Sequence, residues 1–315
     1  MMAGEQVSLR DTYGKTLAEL GRGNMDIVVL DADLAKSTMT EYFGKEFPHR
    51  FFDCGVAEQN MMGIAAGLAA SGKTAFASTF AVFAPGRCFD QIRMSVAQPL
   101  FNVKIVSTHG GITVGEDGTS HQSIEDLALI GSLPGIRVIV PADAVETSQA
   151  VRTAASTEGP FYIRLPRPKL PVVFGDGYRF NLGKAVNMKG GRDATIIAIG
   201  VMVSIALEAS KSLSKQGISC RVLNMSTLKP IDEKAINDAA RETGAIVTAE
   251  EHLEHGGLGS EVARIVAKHQ PVPMEFIAIK DTYAQSGKDR ELLEKYGLTA
   301  EAIEVAVRSV IARKR

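Results

Sequence analysis

Between Cys54 and Ser71 the one carboxylate is Glu58, in the run Cys-Gly-Val-Ala-Glu-Gln-Asn-Met-Met-Gly-Ile-Ala-Ala-Gly-Leu-Ala-Ala-Ser. It follows an expected strand end and opens a stretch of small and apolar residues that carries no charge from Met61 onward. A helix apolar on every face is expected to be buried. Dehydration at its mouth disfavours the Glu58 anion, while the positive end of the helix dipole favours it. On these residues alone two readings stay open: a helix cap, or an acid placed for proton chemistry. Thr79-Phe80-Ala-Val-Phe83 sets two phenylalanines three apart, on one side of a turn that follows a strand. They read as core residues or as a flat wall for a planar ring. Ser107-Thr-His109-Gly-Gly-Ile-Thr-Val-Gly-Glu-Asp117-Gly-Thr-Ser-His121-Gln122 then runs from a strand into a glycine-broken loop with two histidines and two carboxylates. The spacing does not fit a compact zinc motif. Either histidine alone could be structural and Glu116-Asp117-Gly118 only a turn, but four polar groups in one strand-end loop favour a ligand site.

The elements that must position these groups follow from the apolar pattern. Residues 7–23 predict an amphipathic helix ended by Gly21 and Gly23, followed by a buried strand at 26–30 and the polar turn Asp31-Ala32-Asp33. Short apolar or β-branched runs at 51–54, 74–78, 103–107 and 138–140 predict strands, and 58–71, 83–97, 123–130 and 144–155 predict the helices between them. This alternation predicts an α/β fold whose parallel sheet is sandwiched by helices. Such sheets bind ligands at their carboxyl edge. Proline, glycine and charge break the pattern over 166–179, after which strands are expected at 194–199, 219–224, 245–250 and 275–279. Helices are expected at 203–216, at 233–243, after Gly256-Gly257-Leu258-Gly259, and at 299–313. The expected organisation is a first domain over residues 1–172, a linker over 173–190 and a second domain over 191–315, each domain a mainly parallel sheet flanked by helices.

Composition narrows the function classes. The 315 residues, 45% of them apolar, can fill two cores. A net charge of −1 supplies no field toward nucleic acid or an anionic membrane. Cys54, Cys88 and Cys220 are odd in number and widely spaced, which points to a reducing compartment with neither a disulfide nor a zinc framework. Met-Met-Ala-Gly-Glu-Gln lacks the basic-then-apolar pattern of a secretory signal, and no run approaches the ~20 apolar residues of a membrane span. A cytoplasmic protein with no nucleic-acid or membrane partner is the expectation. Gly256-Gly257-Leu258-Gly259 lacks the third glycine and acidic partner of a dinucleotide fingerprint. His252 and His255, which flank that turn, read as solvated loop residues.

With these residues assembled, the chain resembles the C-terminal half of transketolase over nearly its whole length. Gly-Val-Ala-Glu58-Gln resembles the segment whose glutamate touches the aminopyrimidine of thiamine diphosphate. Thr79-Phe80 and Phe83 resemble the pyrimidine-stacking pair. Thr-His109 with Gly-Glu-Asp117-Gly and His121 resembles the substrate loop. Leu165-Pro-Arg167-Pro-Lys-Leu-Pro resembles the segment with a phosphate-binding arginine. Leu9-Arg10 and Ala32-Asp33-Leu34-Ala-Lys-Ser37 resemble those that give an arginine and a serine to the same phosphate. Deoxyxylulose phosphate synthase shares the Ala-Glu-Gln and Ser-Thr-Phe pieces but carries an arginine where this chain has Gly110. The beta subunits of 2-oxoacid dehydrogenases share the glutamate helix but lack the Gly-Glu-Asp-Gly loop. One departure from transketolase is Gly86, where a tyrosine often stands.

The resemblance implies a thiamine diphosphate-binding pyrimidine domain followed by a transketolase C-terminal-like domain. It also implies two-carbon ketol transfer between sugar phosphates. Glu58 would hydrogen-bond the pyrimidine, with Phe80 and Phe83 stacking on it and Asp33 orienting its own loop at the cofactor site. His109 and His121 would contact the sugar near the reacting carbons, Asp117 would bind a hydroxyl, and Arg10, Ser37 and Arg167 would hold the distal phosphate. Thiamine diphosphate enzymes hold their Mg2+ with Gly-Asp-Gly and an Asn about 30 residues on, a hard oxygen-ligand site. Gly175-Asp176-Gly177 is followed there only by Val203-Ser204-Ile205-Ala206, so it reads as a turn and this chain is expected to ligate no metal. The diphosphate and Mg2+ would belong to a separate N-terminal subunit, the chain homodimerising within a heterotetramer. A 2-oxoacid dehydrogenase beta subunit, a deoxyxylulose phosphate synthase-like enzyme and a non-catalytic paralogue are the alternatives.

Overall fold

The computed structural model describes residues 5–314. The strands of the first domain, in chain order, are β1 (Gln6–Ser8), β2 (Ile27–Asp31), β3 (Phe51–Asp53), β4 (Thr74–Phe80), β5 (Val103–Thr108), β6 (Arg137–Ile139), β7 (Phe161–Arg164) and β8 (Lys169–Pro171). Those that follow are β9 (Val186–Lys189), β10 (Ala194–Ala198), β11 (Cys220–Asn224), β12 (Thr227–Lys229), β13 (Ile246–Leu253) and β14 (Met274–Ile279). A seven-stranded sheet runs in the order β12-β6-β7-β5-β4-β2-β3 and a five-stranded sheet in the order β14-β13-β10-β11-β9. Within these two sheets every pairing is parallel except those of the edge strands β12 and β9, and β1 and β8 form a separate antiparallel pair. Two domains of mainly parallel sheet flanked by helices are thus the architecture, as the alternation predicts.

The central strands are apolar without alternation because both sides of the sheet are covered. Successive side chains of a strand point to opposite faces. Val29 and Phe76 accordingly pack with Tyr13, Leu17 and Phe43 on one side, while Val28, Leu30, Ala75 and Ala77 pack with Met61, Met62 and Cys88 on the other. β4 runs two residues past its expected end, since Thr79 and Phe80 pair with Ser107 and Thr108. Phe80 therefore ends a strand rather than following one. β7 and the short helices Ala35–Thr38, Glu41–Glu46 and Asp289–Lys295 have no expected counterpart. They are four to seven residues long, too short for periodicity to show, and are fixed by non-local pairing and packing.

One strand of the expected linker belongs to the second sheet, and a later strand ties the halves together. Val186–Lys189, within the stretch expected to be linker, pairs antiparallel with β11. β12, from beyond that stretch, pairs with β6 of the first sheet. The helix Glu58–Ala70 departs from its expected burial. Met61, Met62, Ala65, Ala66 and Ala69 face the sheet, but Gln59, Asn60, Gly63, Ile64, Gly67 and Ala70 are exposed. No described element covers that side, and a side chain added at Gly63 or Gly67 would meet nothing within 4 Å. Among the described residues no helix is long and apolar enough to cross a membrane.

Candidate active site

The strand order β7-β5-β4-β2-β3 lays the carboxyl ends of five sequence-distant strands side by side, and the expected site residues come off those ends, except Arg10, which lies in the first turn of the helix Leu9–Gly23. Glu58 follows β3: Gly55 turns the chain at φ +68, and Ala57 takes the N-cap position without a side-chain cap bond. Glu58 is thus the first helical residue, and the capping reading falls. It is 4% exposed, and its Oε1 accepts from Arg87 Nη1 at 2.6 Å. The Arg87 guanidinium lies over the Phe83 ring, 3.9 Å from its centroid. Arg87 was not foreseen, although its position four residues after Phe83 puts both on one helical face. A side chain at Gly86 would meet nothing within 4 Å, so Arg87, not residue 86, covers Phe83.

Phe80 and Phe83 stack with centroids 5.8 Å apart. His109 stacks on Phe80 at 3.8 Å, and His121 meets Phe83 edge-on at 5.4 Å. The two phenylalanines are therefore a wall shared with both histidines, not interior packing alone. His109 sits at φ 60, is 3% exposed, and shares a hydrogen bond between its Nδ1 and Thr108 Oγ1 at 2.8 Å. Burial, with Arg10 and Arg167 nearby, lowers its pKa to about 3, so its imidazole is neutral at physiological pH. His121 pairs through Nδ1 with Ser120 Oγ at 2.9 Å.

Arg10, Ser37, Arg167 and Asp117 also converge. Arg10 Nη1 donates to the Ser37 carbonyl at 2.7 Å and Nη2 to the Arg167 carbonyl at 3.3 Å. Arg167 Nη1 lies 3.6 Å from Asp117 Oδ2 and donates to the Val114 carbonyl. Burial and the charge of Arg167 lower the Arg10 pKa. It is the Ser37 main chain, not its hydroxyl, that meets Arg10.

The turn that carries Asp33 and Ser37 is organised by a neighbour. Asp33 is exposed, at φ 62, and only its backbone N–H is bonded among the described residues, to Asp53 Oδ1 at 3.1 Å. The loop is instead held by Asp31, which accepts from Leu34 N at 2.6 Å, Thr38 Oγ1 at 2.7 Å and Thr40 Oγ1 at 2.8 Å. Burial raises the Asp31 pKa to about 6 against those hydrogen bonds. Asp31 ends an apolar strand, which is the signal that could have singled it out.

Other expectations resolve as structure. His252 is fully buried, not solvated: its Nδ1 donates to the Leu253 carbonyl at 2.7 Å, and its Nε2 accepts from Ala128 N at 3.4 Å. Asp176 lies in an exposed turn closed by Tyr178 N to the Gly175 carbonyl at 3.0 Å. Among the described residues no group of three or more His, Cys, Asp or Glu is placed to hold a metal ion.

Residues 5–173 match the family model described as transketolase, pyrimidine binding domain, and residues 183–303 match transketolase, C-terminal domain. The chain is 47% identical over 305 residues to a Methanocaldococcus jannaschii protein named for a transketolase C-terminal section, with 96% of each covered. It is 42% identical over 310 residues to the 6-deoxy-6-sulfo-D-fructose transketolase subunit of a Clostridium species, covering 98% of this chain and 96% of that one. It is 40% identical over 314 residues to human transketolase, covering 98% of this chain and 50% of that one. A solved structure described as a split gene transketolase, inactive beta4 tetramer, superposes with a TM-score of 0.91 at 50% identity, covering 99% of this chain and 100% of that one.

Proposed function

The chain belongs to the transketolase family of transferases, and from that premise we propose that it is the C-terminal subunit of a two-subunit, thiamine diphosphate-dependent transketolase. The reaction is transfer of a two-carbon ketol unit between sugar phosphates. The observation that carries this reading is the row of groups along one sheet edge: Glu58 with Phe83, then Phe80 with His109, then Arg10 with Arg167. We place the pyrimidine-binding domain at 1–172 and the C-terminal domain at 191–315.

The residues present fit the pyrimidine end of the cofactor. Glu58 is buried, only one of its oxygens is bonded among the described residues, and the stacked phenylalanines stand beside it. When bound, thiamine diphosphate supplies the carbanion chemistry. The part of this chain is alignment and grip. A dehydrated carboxyl beside a neutral ring nitrogen shares a proton with it more readily than one in water. Neutral His109 offers a hydrogen bond rather than a charge to the sugar, and His121 offers a second hydrogen bond from the more exposed side. Asp117, exposed and 3.6 Å from Arg167, is the group that reads a hydroxyl of the sugar. Arginine's planar fork suits a tetrahedral oxyanion, so Arg10 and Arg167 hold the distal phosphate.

The diphosphate and Mg2+ fall to an N-terminal subunit. Its support here is the uncovered side of the helix Glu58–Ala70, where Ile64 is 37% exposed, together with Val56 at 71% and Phe52 at 39%. Small and apolar residues beside Glu58 are what a partner closing over the cofactor would cover. Homodimerisation within a heterotetramer completes the reading, and three free cysteines accord with work in a reducing cytoplasm. The test is a coupled assay with a ketose phosphate donor. Turnover that needs both this chain and a subunit carrying the Gly-Asp-Gly motif supports the proposal. A requirement for a lipoyl carrier, or no turnover from the assembled pair, overturns it.

A further inference from the structure

His109 is followed by two glycines, the first closed in by its own domain and the second by the other. A Cβ at Gly110 would stand 2.4 Å from Arg164 Nε, and one at Gly111 would stand 2.1 Å from the carboxyl carbon of Glu251. The loop backbone is pressed between these two side chains. Arg164 ends β7, and its Nε lies 3.0 Å from Asp126 Oδ2. Glu251 comes from β13 of the second sheet and is 2% exposed. Its Oε1 accepts from Thr113 N at 2.6 Å, and its buried Oε2 has no hydrogen-bond partner among the described residues. The Arg164 guanidinium, donating to the carbonyls of Ser123 and Glu251 at 3.0 Å each, locks this junction.

The far end of the same loop is also held from the second domain. Ser286 Oγ donates to the Glu116 carbonyl at 2.6 Å, Thr119 Oγ1 to the Ala284 carbonyl at 2.8 Å, and Gln122 Nε2 to the Gln285 carbonyl at 2.9 Å. Beside these contacts a cavity of about 400 Å3 has Arg10, Arg167 and Glu116 on one side and Lys288 and Asp289 on the other. Gly111, Gly115 and Gly118 take positive φ without strain, whereas His109, at φ 60, holds a conformation that a residue with a side chain keeps only where its surroundings over-determine it.

Resting on the function proposed above, we infer that the second domain positions the substrate loop. Glu251 is the positioning residue at its base, and the 284–289 turn holds its far end and walls the distal-anion pocket. Glu251 touches neither cofactor nor sugar; it sets where His109, Asp117 and His121 stand. Losing it weakens sugar binding and leaves the cofactor's pyrimidine seat at Glu58 intact.

Two arms test this. In the chain alone, amide hydrogen exchange over residues 110–122 is compared in the wild type, Glu251→Gln and Glu251→Ala. Loss of one buried hydrogen bond predicts about ten-fold faster exchange in that loop for the alanine variant, with the glutamine variant near wild type because it keeps the acceptor. Should Glu251→Ala loosen the whole chain, Ser286→Ala with Thr119→Val carries the test, since it cuts only bonds at the surface end. Loop exchange that stays at the wild-type rate in those variants overturns the inference. With the partner subunit present, KM for the sugar phosphate is expected to rise about ten-fold in Glu251→Ala at unchanged thiamine diphosphate affinity, the same single bond being lost. An unchanged KM, or a loss confined to cofactor affinity, overturns it. Failure of the wild-type pair to turn over would sink the functional reading and leave the exchange result standing.

Discussion

Arg87 donates to Glu58 at 2.6 Å while its guanidinium lies 3.9 Å from the centroid of Phe83. One planar group thus bonds the acid and covers the ring, the two contacts that a pyrimidine would make at this place. On the proposed role of Glu58, Glu58→Ala removes the proton partner of the pyrimidine. With the N-terminal subunit supplied, its turnover is expected to fall by about 10²- to 10⁴-fold, the range for a lost acid–base group. A coupled assay that finds near-normal rates would remove Glu58 from the chemistry.

Burial separates two arginine–carboxylate pairs that look alike in a contact list. The Arg87 side chain is 46% exposed and that of Arg164 6%, over an Asp126 that is 0% exposed. Water reaches Arg87, and although Glu58 beneath it is only 5% exposed, removing Arg87 opens it to solvent, so Arg87→Ala is expected to cost the isolated chain about 1–3 kcal/mol. Arg164→Ala leaves Asp126 buried with Tyr162 Oη, 2.7 Å away, as its hydrogen-bond donor. Its cost is expected to be about 3–5 kcal/mol. Urea denaturation of the two variants decides, and equal midpoints would refute the distinction.

Arg10 and Arg167 are predicted to act on the charged end of the substrate. Replacing either by alanine should weaken binding of a phosphorylated sugar by about 1.5–3 kcal/mol, the worth of a charge-assisted hydrogen bond. The same sugar without its phosphate should be used no worse than by the wild type. Equal losses for both substrates would place these arginines in structure alone.

His109 gives the fold a pH dependence of definite sign. Its folded pKa, lowered to about 3, lies below the ordinary value of 6.5. The unfolded chain therefore binds the extra proton first, and stability rises with pH wherever that holds. The contribution is fully present above pH 6.5 and is lost as pH falls toward about 3. Thermal melts at intervals from pH 7 to pH 4 should show a shallower decline for His109→Gln than for the wild type. Parallel curves would mean that His109 is protonated as readily in the folded chain as out of it.

What could be read from the chain itself is local. Apolar runs and their spacing marked β2, β4, β5 and β10 and most of the long helices, because a strand covered on both sides must be apolar throughout. Glu58, Phe80, Phe83, His109, Asp117 and His121 stood out because charge, aromatic rings and glycines in unusual settings are visible without coordinates. The tertiary structure decided what each of them touches. The pairing of Gln6–Ser8 with Lys169–Pro171 brought Arg167 beside Arg10, and the packing of the two sheets brought Glu251 under Gly111. Arg87, Asp31 and Glu251 escaped notice since an arginine, a strand-end aspartate and a glutamate in a second domain are ordinary until burial and neighbours are known. The helix of Glu58 shows the same limit from the other side: its composition declares that it avoids water, while only packing reveals that one side of it is left uncovered by the described residues.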